Sequence, residues 1–328
     1  MNKYHHFSWI QLLLIVYYFP QYVVSDFPDF ISGFGLTITN FSKVNNELYD
    51  VIVQSKEVKG DQKIRILLPL DYTTSGSTRH YPVLYLLHGG VGQAEDWTER
   101  GGTAQQILGN LSLITIMPNG DPFGWYTNWI NPGKAAPQNW RTFHNEQLIP
   151  WIDANLRTVA RKGGRAIAGL SMGGFGAIRY AEVYPHLYIY TASFSGAIDL
   201  LNFGVQAVIF GSEAVDKKAV NGPFGIPFVI TNSSGWVVEN PITHAASLRD
   251  VNIALYTGNQ GVIEIAMHDC NNHMHKMLNS LNISHYHDFY GNGKSIGHGC
   301  HGRHEFPCWN AALMDVAPRM MAVLQQKY

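Results

Sequence analysis

The spacing of apolar positions changes along the chain, and those changes separate strands from helices. Residues 81–87 form a continuous apolar run, and 165–168 read the same way. Such runs mark strands covered on both faces of a parallel sheet. Residues 113–117, 189–195, 251–256 and 284–290 read as further strands. Helical spacing appears between them. Leu148, Ile149, Ile152, Leu156 and Val159 share one face of a helix over 146–160, with Pro150 tolerated near its first turn. Further helices are expected at 175–182, 264–281 and 309–326. Earlier, 49–54 and 63–68 read as two strands joined through Lys59-Gly60-Asp61, an antiparallel opening hairpin. Residues 26–44 show no clear period. Alternating strands and helices after a hairpin predict one α/β domain over 26–328 with a mostly parallel sheet.

The stretch 200–239 is too long for a simple connection. It carries Phe203, Val208, Ile209 and Phe210, then a Gly/Pro-rich apolar patch at 223–230. It reads as an inserted apolar cap of a kind that suits an acyl chain. The loop with Trp125, Tyr126 and Trp129 either lines a substrate cleft or packs as structure.

At the N-terminus, Lys3, His5 and His6 precede an apolar run at 10–19 that Pro20 breaks. This predicts a signal peptide over 1–25 and a secreted protein. The run is shorter than the roughly 20 apolar residues a spanning helix needs. Sequons at Asn40, Asn110, Asn232 and Asn282 fit export and mark glycosylation candidates. Only three cysteines are present, and in an oxidising compartment they predict one disulfide and one spare thiol. Cys300 with Cys308 closes the smallest loop. A net charge of −1, without a basic stripe, argues against a nucleic-acid partner.

The chemistry centres on Gly169-Leu170-Ser171-Met172-Gly173-Gly174. A strand, a sharp turn with Ser at the tip of G-x-S-x-G, and a helix make a nucleophile elbow. The following helix aims its N-terminus at Ser171, which favours developing negative charge. The strand at 81–87 ends in His88-Gly89-Gly90-Val91-Gly92, where glycines let backbone approach a substrate. The oxyanion-hole candidates are the N–H groups of Gly90 (or Gly89) and of Met172. A Ser hydroxyl needs a base, and the base needs an acid to orient it. In the order Ser, acid, His, the first acid candidate after 251–256 is Glu264, with Asp269 as the alternative. His298, His301 and His304 all fall where the base is expected, and His304 stands nearest the terminal helix.

With these residues in view, the chain resembles the esterase D family, and within it the secreted mycolyltransferase/diacylglycerol acyltransferase branch. Tyr85-Leu86-Leu87-His88-Gly89, Trp97, Met117-Pro118-Asn119-Gly120, the elbow, Tyr256-Thr257-Gly258-Asn259 and the spacing from His304 to Trp309 carry the resemblance. It implies an α/β-hydrolase fold with an eight-stranded, mostly parallel sheet and helices on both faces. Ser171 would be the nucleophile. Counting along the helix to Asn271 places the family Glu on Glu264, and the His five residues before a Trp falls on His304. Mycolyltransferases carry an Asp, which helps hold the sugar acceptor, where this chain has His88. Esterase members carry His there, so the resemblance favours hydrolysis.

The expected activity is therefore a serine esterase acting on carboxylic esters through an acyl-enzyme, on a small-molecule or lipid/sugar ester. No cofactor and no stable protein partner are expected. Acyl transfer to a sugar or glycerol hydroxyl is the first rival, and a non-catalytic binding protein on a hydrolase scaffold the second. A metal site is a further rival. His285 and His287 share a strand face, and Cys300, His301, His304 and Cys308 have ligand chemistry, but no spacing matches a known motif.

Overall fold

A computed structural model describes residues 29–215, 221–226, 228 and 234–325 of the 328-residue chain. The predicted signal peptide and Asn232 lie outside the described residues.

Among the described residues, nine strands form one sheet: β1 (Leu36–Lys43), β2 (Leu48–Ser55), β3 (Gln62–Leu67), β4 (Val83–Leu87), β5 (Ile114–Pro118), β6 (Arg165–Leu170), β7 (Tyr190–Phe194), β8 (Asn252–Gly258) and β9 (Tyr286–Gly291). Their order is β1-β2-β3-β5-β4-β6-β7-β8-β9. Pairing is antiparallel from β1 to β5 through β3, and parallel from β5 through β4 to β9. The expected opening hairpin is β2 and β3. The eight-strand expectation falls one short, because β1 occupies part of 26–44. Only Leu36 of β1 is buried, so this edge strand shows no period-2 signal.

The continuous apolar runs pack two cores at once. In β4, Val83, Tyr85 and Leu87 face one core while Leu84 and Leu86 face the other. The elbow helix (Met172–Val183) and the acid-bearing helix (Val262–Ser280) cover the first face through Phe175, Ile178, Met267 and Met274. The terminal helix (Phe306–Val323) covers the second through Leu313, Val316 and Met320. Where one helix was expected over 146–160, a π-helical turn (Phe143–Leu148) runs into a shorter α-helix (Ile149–Asn155). The helix stops because Leu156 is extended.

The cap helix (Phe203–Val215) rests on the core through Val205 and Ile209 and exposes Phe203 and Phe210. Phe224 is buried among Trp125, Phe175 and Trp236, whereas Ile226 and Phe228 are exposed. Trp125, Tyr126 and Trp129 are all buried, with Trp125 edge-on to Phe175 and Phe224 and Tyr126 edge-on to Tyr180, which fits the packing alternative.

Among the described residues, no helix is long and apolar enough to cross a membrane. Asn40, Asn110 and Asn282 are exposed.

Candidate active site

Ser171 sits between β6 and the elbow helix with φ 53° and ψ −118°, a conformation few non-glycine residues adopt. Such strain at a turn is what lifts a side chain clear of a sheet edge. Close approach of backbones makes the bend possible. A Cβ at Gly173 would lie 2.5 Å from the carbonyl oxygens of both Leu87 and His88. Ser171 N–H donates to Phe194 O at 2.9 Å, which ties the tip to the end of β7.

The next residue, Ser195, also has positive φ, at 50°, and is fully buried. Its hydroxyl donates to Glu264 Oε1 at 2.7 Å. The same oxygen accepts Gly258 N–H at 2.7 Å and lies 3.0 Å from Thr257 Oγ1. Glu264 Oε2 meets His304 Nδ1 at 2.7 Å. Burial alone would raise this carboxyl. The His304 hydrogen bond and charge, with the Ser195 and Gly258 donors, override it and hold Glu264 below the ordinary carboxylate range. An ionised Glu264 can only accept, so His304 carries its proton on Nδ1 and keeps the Nε2 lone pair for chemistry. Asp269, the alternative acid, is exposed. His298 and His301 are exposed as well, and His301 Nδ1 lies 3.4 Å from Glu305.

The Cys300–Cys308 disulfide is present and brackets His304. Gly302 in the same loop has φ +71°, and a Cβ there would lie 2.1 Å from Gly291 O, so the loop is pressed onto the end of β9. His304 stands edge-on to Trp309, ring centroids 4.9 Å apart. Cys270 is the free, buried thiol. With the cysteines paired and His304 on Glu264, the metal-ligand set weighed for that loop is spoken for.

In the glycine loop after β4, Val91 N–H donates to Pro122 O at 2.7 Å and Gly92 N–H to Gly89 O at 3.2 Å. A Cβ on Gly89 would lie 3.4 Å from Ser171 Cβ, which brings this loop against the elbow. Gly90 is exposed, and Met172 supplies the first N–H of the elbow helix, which has no intrahelical acceptor.

His88 is buried, and its role is internal. Gly120 N–H donates to Nε2 at 2.8 Å, so the ring proton sits on Nδ1 and goes to Gly89 O at 2.8 Å. Burial pushes His88 down to about 4, which keeps it neutral. Tyr126 OH donates to His88 O at 3.0 Å. Beneath lies His144, which donates from Nε2 to Asn119 O and accepts from Tyr180 OH, both at 2.9 Å.

Sequence reasoning named Glu264 and His304, which the structure pairs, and Ser171, which it sets on a strained turn, but missed Ser195 and Thr257, the hydroxyls on Glu264. Trp309 served only as a spacing landmark. The available signal was polarity where an apolar strand ends: Ser195 directly follows β7, and Thr257 is the last side chain of β8.

Comparison with known proteins agrees with this architecture. The family model described as "Putative esterase" matches residues 55–320. Esterase Rv1288 of Mycobacterium tuberculosis is 36% identical over 228 residues, 69% of this chain and 49% of that protein. The chain thus spans about half the length of that relative. Diacylglycerol acyltransferase/mycolyltransferase Ag85C of Mycobacterium leprae is 28% identical over 231 residues, 65% of each chain. An S-formylglutathione hydrolase from Agrobacterium tumefaciens superposes with a TM-score of 0.68 at 14% identity, covering 88% of this chain and all of that one, and so shares the fold. The strained turn at Ser171, the sheet order and the family match converge: this chain belongs to the esterase family that the model describes, with an α/β-hydrolase fold.

Proposed function

We propose that the protein is a secreted serine esterase that hydrolyses carboxylic esters through an acyl-enzyme on Ser171. The observation that carries this reading is the 2.7 Å pairing of His304 Nδ1 with a buried, ionised Glu264. An imidazole held that way is a base at Nε2. Ser171 Oγ attacks the ester carbonyl while His304 Nε2 takes the hydroxyl proton. The carbonyl electron pair becomes an oxyanion, held by the N–H groups of Gly90 and Met172. As the pair returns, the C–O bond to the alcohol breaks and His304 gives its proton to the leaving oxygen. A water, deprotonated by His304, then attacks the Ser171 ester. Collapse of that second intermediate releases the acid and returns the proton to Ser171. Glu264 stays ionised throughout and stabilises the imidazolium.

Two features bear on the substrate. Phe203, Phe210 and Phe228 form an exposed aromatic group on the cap, with centroids of Phe228 5.4 Å from Phe203 and 6.4 Å from Phe210. The cap helix touches the acid-bearing helix where Gly204 faces Ala266. This apolar surface suits an acyl group rather than a charged one. His88 bears on the acceptor. Its ring is buried and both nitrogens are engaged by backbone, so it offers nothing to a sugar hydroxyl, which favours water. Likeness to Ag85C keeps acyl transfer as the second reading. Secretion rests on the N-terminal apolar run, the Cys300–Cys308 bridge and the exposed sequons.

The test is p-nitrophenyl esters of graded chain length, with wild type and Ser171→Ala, in the presence and absence of glycerol or trehalose. Hydrolysis by wild type alone, with free acid as the product, is expected. Equal rates for the two proteins would remove the enzyme assignment, and an acyl-sugar product would move it to transfer.

A further inference from the structure

Away from the elbow, the acid-bearing helix and the edge of the sheet bring three histidines together. His275 projects from the helix, His287 lies in β9, and His285 precedes β9 by one residue on the same strand face. One ring nitrogen from each lies within 4.8 Å of the other two. His275 Nδ1 and His285 Nε2 are 2.8 Å apart, and the rings of His275 and His287 have centroids 4.0 Å apart. Such a group could be three stacked neutral rings and nothing more. The orientation of the rings argues otherwise. Ile283 O lies 2.9 Å from His285 Nδ1 and, as a carbonyl, can only accept. His285 therefore holds its proton on Nδ1 and turns its Nε2 lone pair into the group. The outer nitrogen of His275, Nε2, meets the Asn279 side-chain amide at 3.1 Å. His285, anchored through its outer nitrogen by a carbonyl with its other nitrogen aimed at a shared point, has the second-layer arrangement of a metal-bound histidine, and His275 reaches it once the Asn279 amide, which donates to Nε2, turns over.

We propose that His275, His285 and His287 bind one divalent transition-metal ion of the zinc class, with a fourth position open to solvent. Three imidazoles suit Zn, Cu or Ni, whereas calcium and magnesium need oxygen ligands that this group lacks. Zn–N bonds of about 2.0–2.1 Å in a tetrahedron put donor atoms roughly 3.3 Å apart. The 2.8 Å pair must open slightly and the wider pairs close. His287 is exposed and His275 and His285 are half-buried, so the rings have room to turn. The proton balance is local. Binding breaks the His275–His285 hydrogen bond, the His275 proton moves from Nδ1 to Nε2, and the Asn279 amide turns to present its oxygen to it.

Along the acid-bearing helix, His275 lies eleven residues from Glu264, about 16 Å at 1.5 Å per residue. The ion therefore takes no part in ester chemistry. It clamps the second half of that helix to β9, which among the described residues is an edge strand paired only with β8. The loop that leaves β9 carries His304, so the clamp stiffens the frame on which acid and base are mounted.

The test uses the full chain, made without a polyhistidine tag and stripped with chelator. Zinc chloride is then titrated calorimetrically, and metal content is measured after desalting. One equivalent of zinc is expected, with a melting temperature that rises on loading. His275→Asn and His287→Asn should each weaken zinc binding at least tenfold and abolish the thermal shift. Circular dichroism establishes that both variants are folded. His301→Asn, outside the group, should bind like wild type, and calcium chloride should not bind. Zinc that fails to bind stoichiometrically, or that binds His287→Asn as tightly as wild type, overturns the proposal. None of these readouts depends on esterase activity, so the two readings fail separately.

Discussion

The Trp309 indole N–H donates to the Ser195 hydroxyl at 3.2 Å, and Ser195 in turn donates its hydrogen bond to Glu264 at 2.7 Å. An indole nitrogen only donates and an ionised carboxylate only accepts, so the direction of this chain is fixed. Ser195 is held in one orientation, one carboxylate oxygen is kept occupied, and the other is left for His304. The same Trp309 stands edge-on to the His304 ring. One side chain thus touches both the support of Glu264 and the His304 ring.

Replacing the acid should cost far more than replacing its support. Glu264→Gln removes the charge that stabilises the imidazolium and lets His304 adopt the wrong tautomer. A loss of about 100- to 10,000-fold in kcat is expected, by analogy with acid replacement in Ser-His-Asp enzymes. Ser195→Ala removes one hydrogen bond to a charged group, and about a tenfold loss in kcat with little change in KM is expected. Because that bond helps hold Glu264 low, its carboxyl rises in the variant and the acid limb of activity moves to higher pH. Steady-state rates against pH, measured with a p-nitrophenyl ester, check both points. A Ser195→Ala enzyme identical to wild type would show that the hydroxyl does not position the acid.

At the elbow, Gly173→Ala is expected to fail for steric reasons. The added methyl meets two backbone carbonyls, which cannot turn aside as a side-chain tip can. Overpacking of this kind costs about 1–3 kcal/mol and displaces the turn. Urea unfolding should show that loss, and labelling of Ser171 by a fluorophosphonate should slow at least tenfold. Gly211, exposed on the cap helix with no atom near its Cβ position, is the control, and Gly211→Ala should label like wild type.

What the sequence disclosed, and what it hid, follows from how each residue is held. Continuous apolar runs marked β4 and β6 because both faces of those strands are buried. The Glu264–His304 pairing was legible, Glu264 as the first carboxylate after 251–256 and both residues through the family resemblance. β1 was not, since a single buried residue leaves no period. Ser195 was hidden because a serine at the end of a strand is common, and its partner lies 69 residues away in Glu264. His88 could be placed at the right loop, yet its role turned on a fact no spacing carries: both ring nitrogens are engaged by backbone. The helix over 146–160 was misjudged in extent because helical structure already begins at Trp140 and the backbone turns extended at Leu156.

The buried histidines His88 and His144 contribute to the loss of stability in acid. His88 is pushed down to about 4 and His144 to about 3, each first by burial, whereas an unfolded histidine titrates near 6.5. Below pH 6.5 the unfolded chain takes up protons that the folded protein refuses. Unfolding free energy therefore falls as pH drops, with a slope of about 1.4 kcal/mol per pH unit for each such group, until the folded values are reached. His144→Gln keeps a donor and an acceptor at that site but removes one titrating ring. Urea unfolding between pH 6.5 and 4 should show a slope smaller by about one proton in the variant. An unchanged slope would mean that His144 is protonated in the folded protein.

The Cys300–Cys308 bridge spans eight residues around His304, and its removal separates order in that loop from integrity of the rest. Chain-entropy arguments give a loop of this size about 2–3 kcal/mol. The bridge brackets His304, so its loss is expected to lower the fraction of molecules with His304 against Glu264. The double variant Cys300→Ser/Cys308→Ser should lose that stability and several-fold in kcat, with its far-ultraviolet dichroism intact. Reductant should bring wild type to the same level and leave the double variant unmoved. Cys270 does not confuse this comparison, because burial pushes its thiol up to about 12 and its sulfur donates to Gly196 O at 3.2 Å. A double variant that still loses activity in reductant would place the redox sensitivity elsewhere than in this loop.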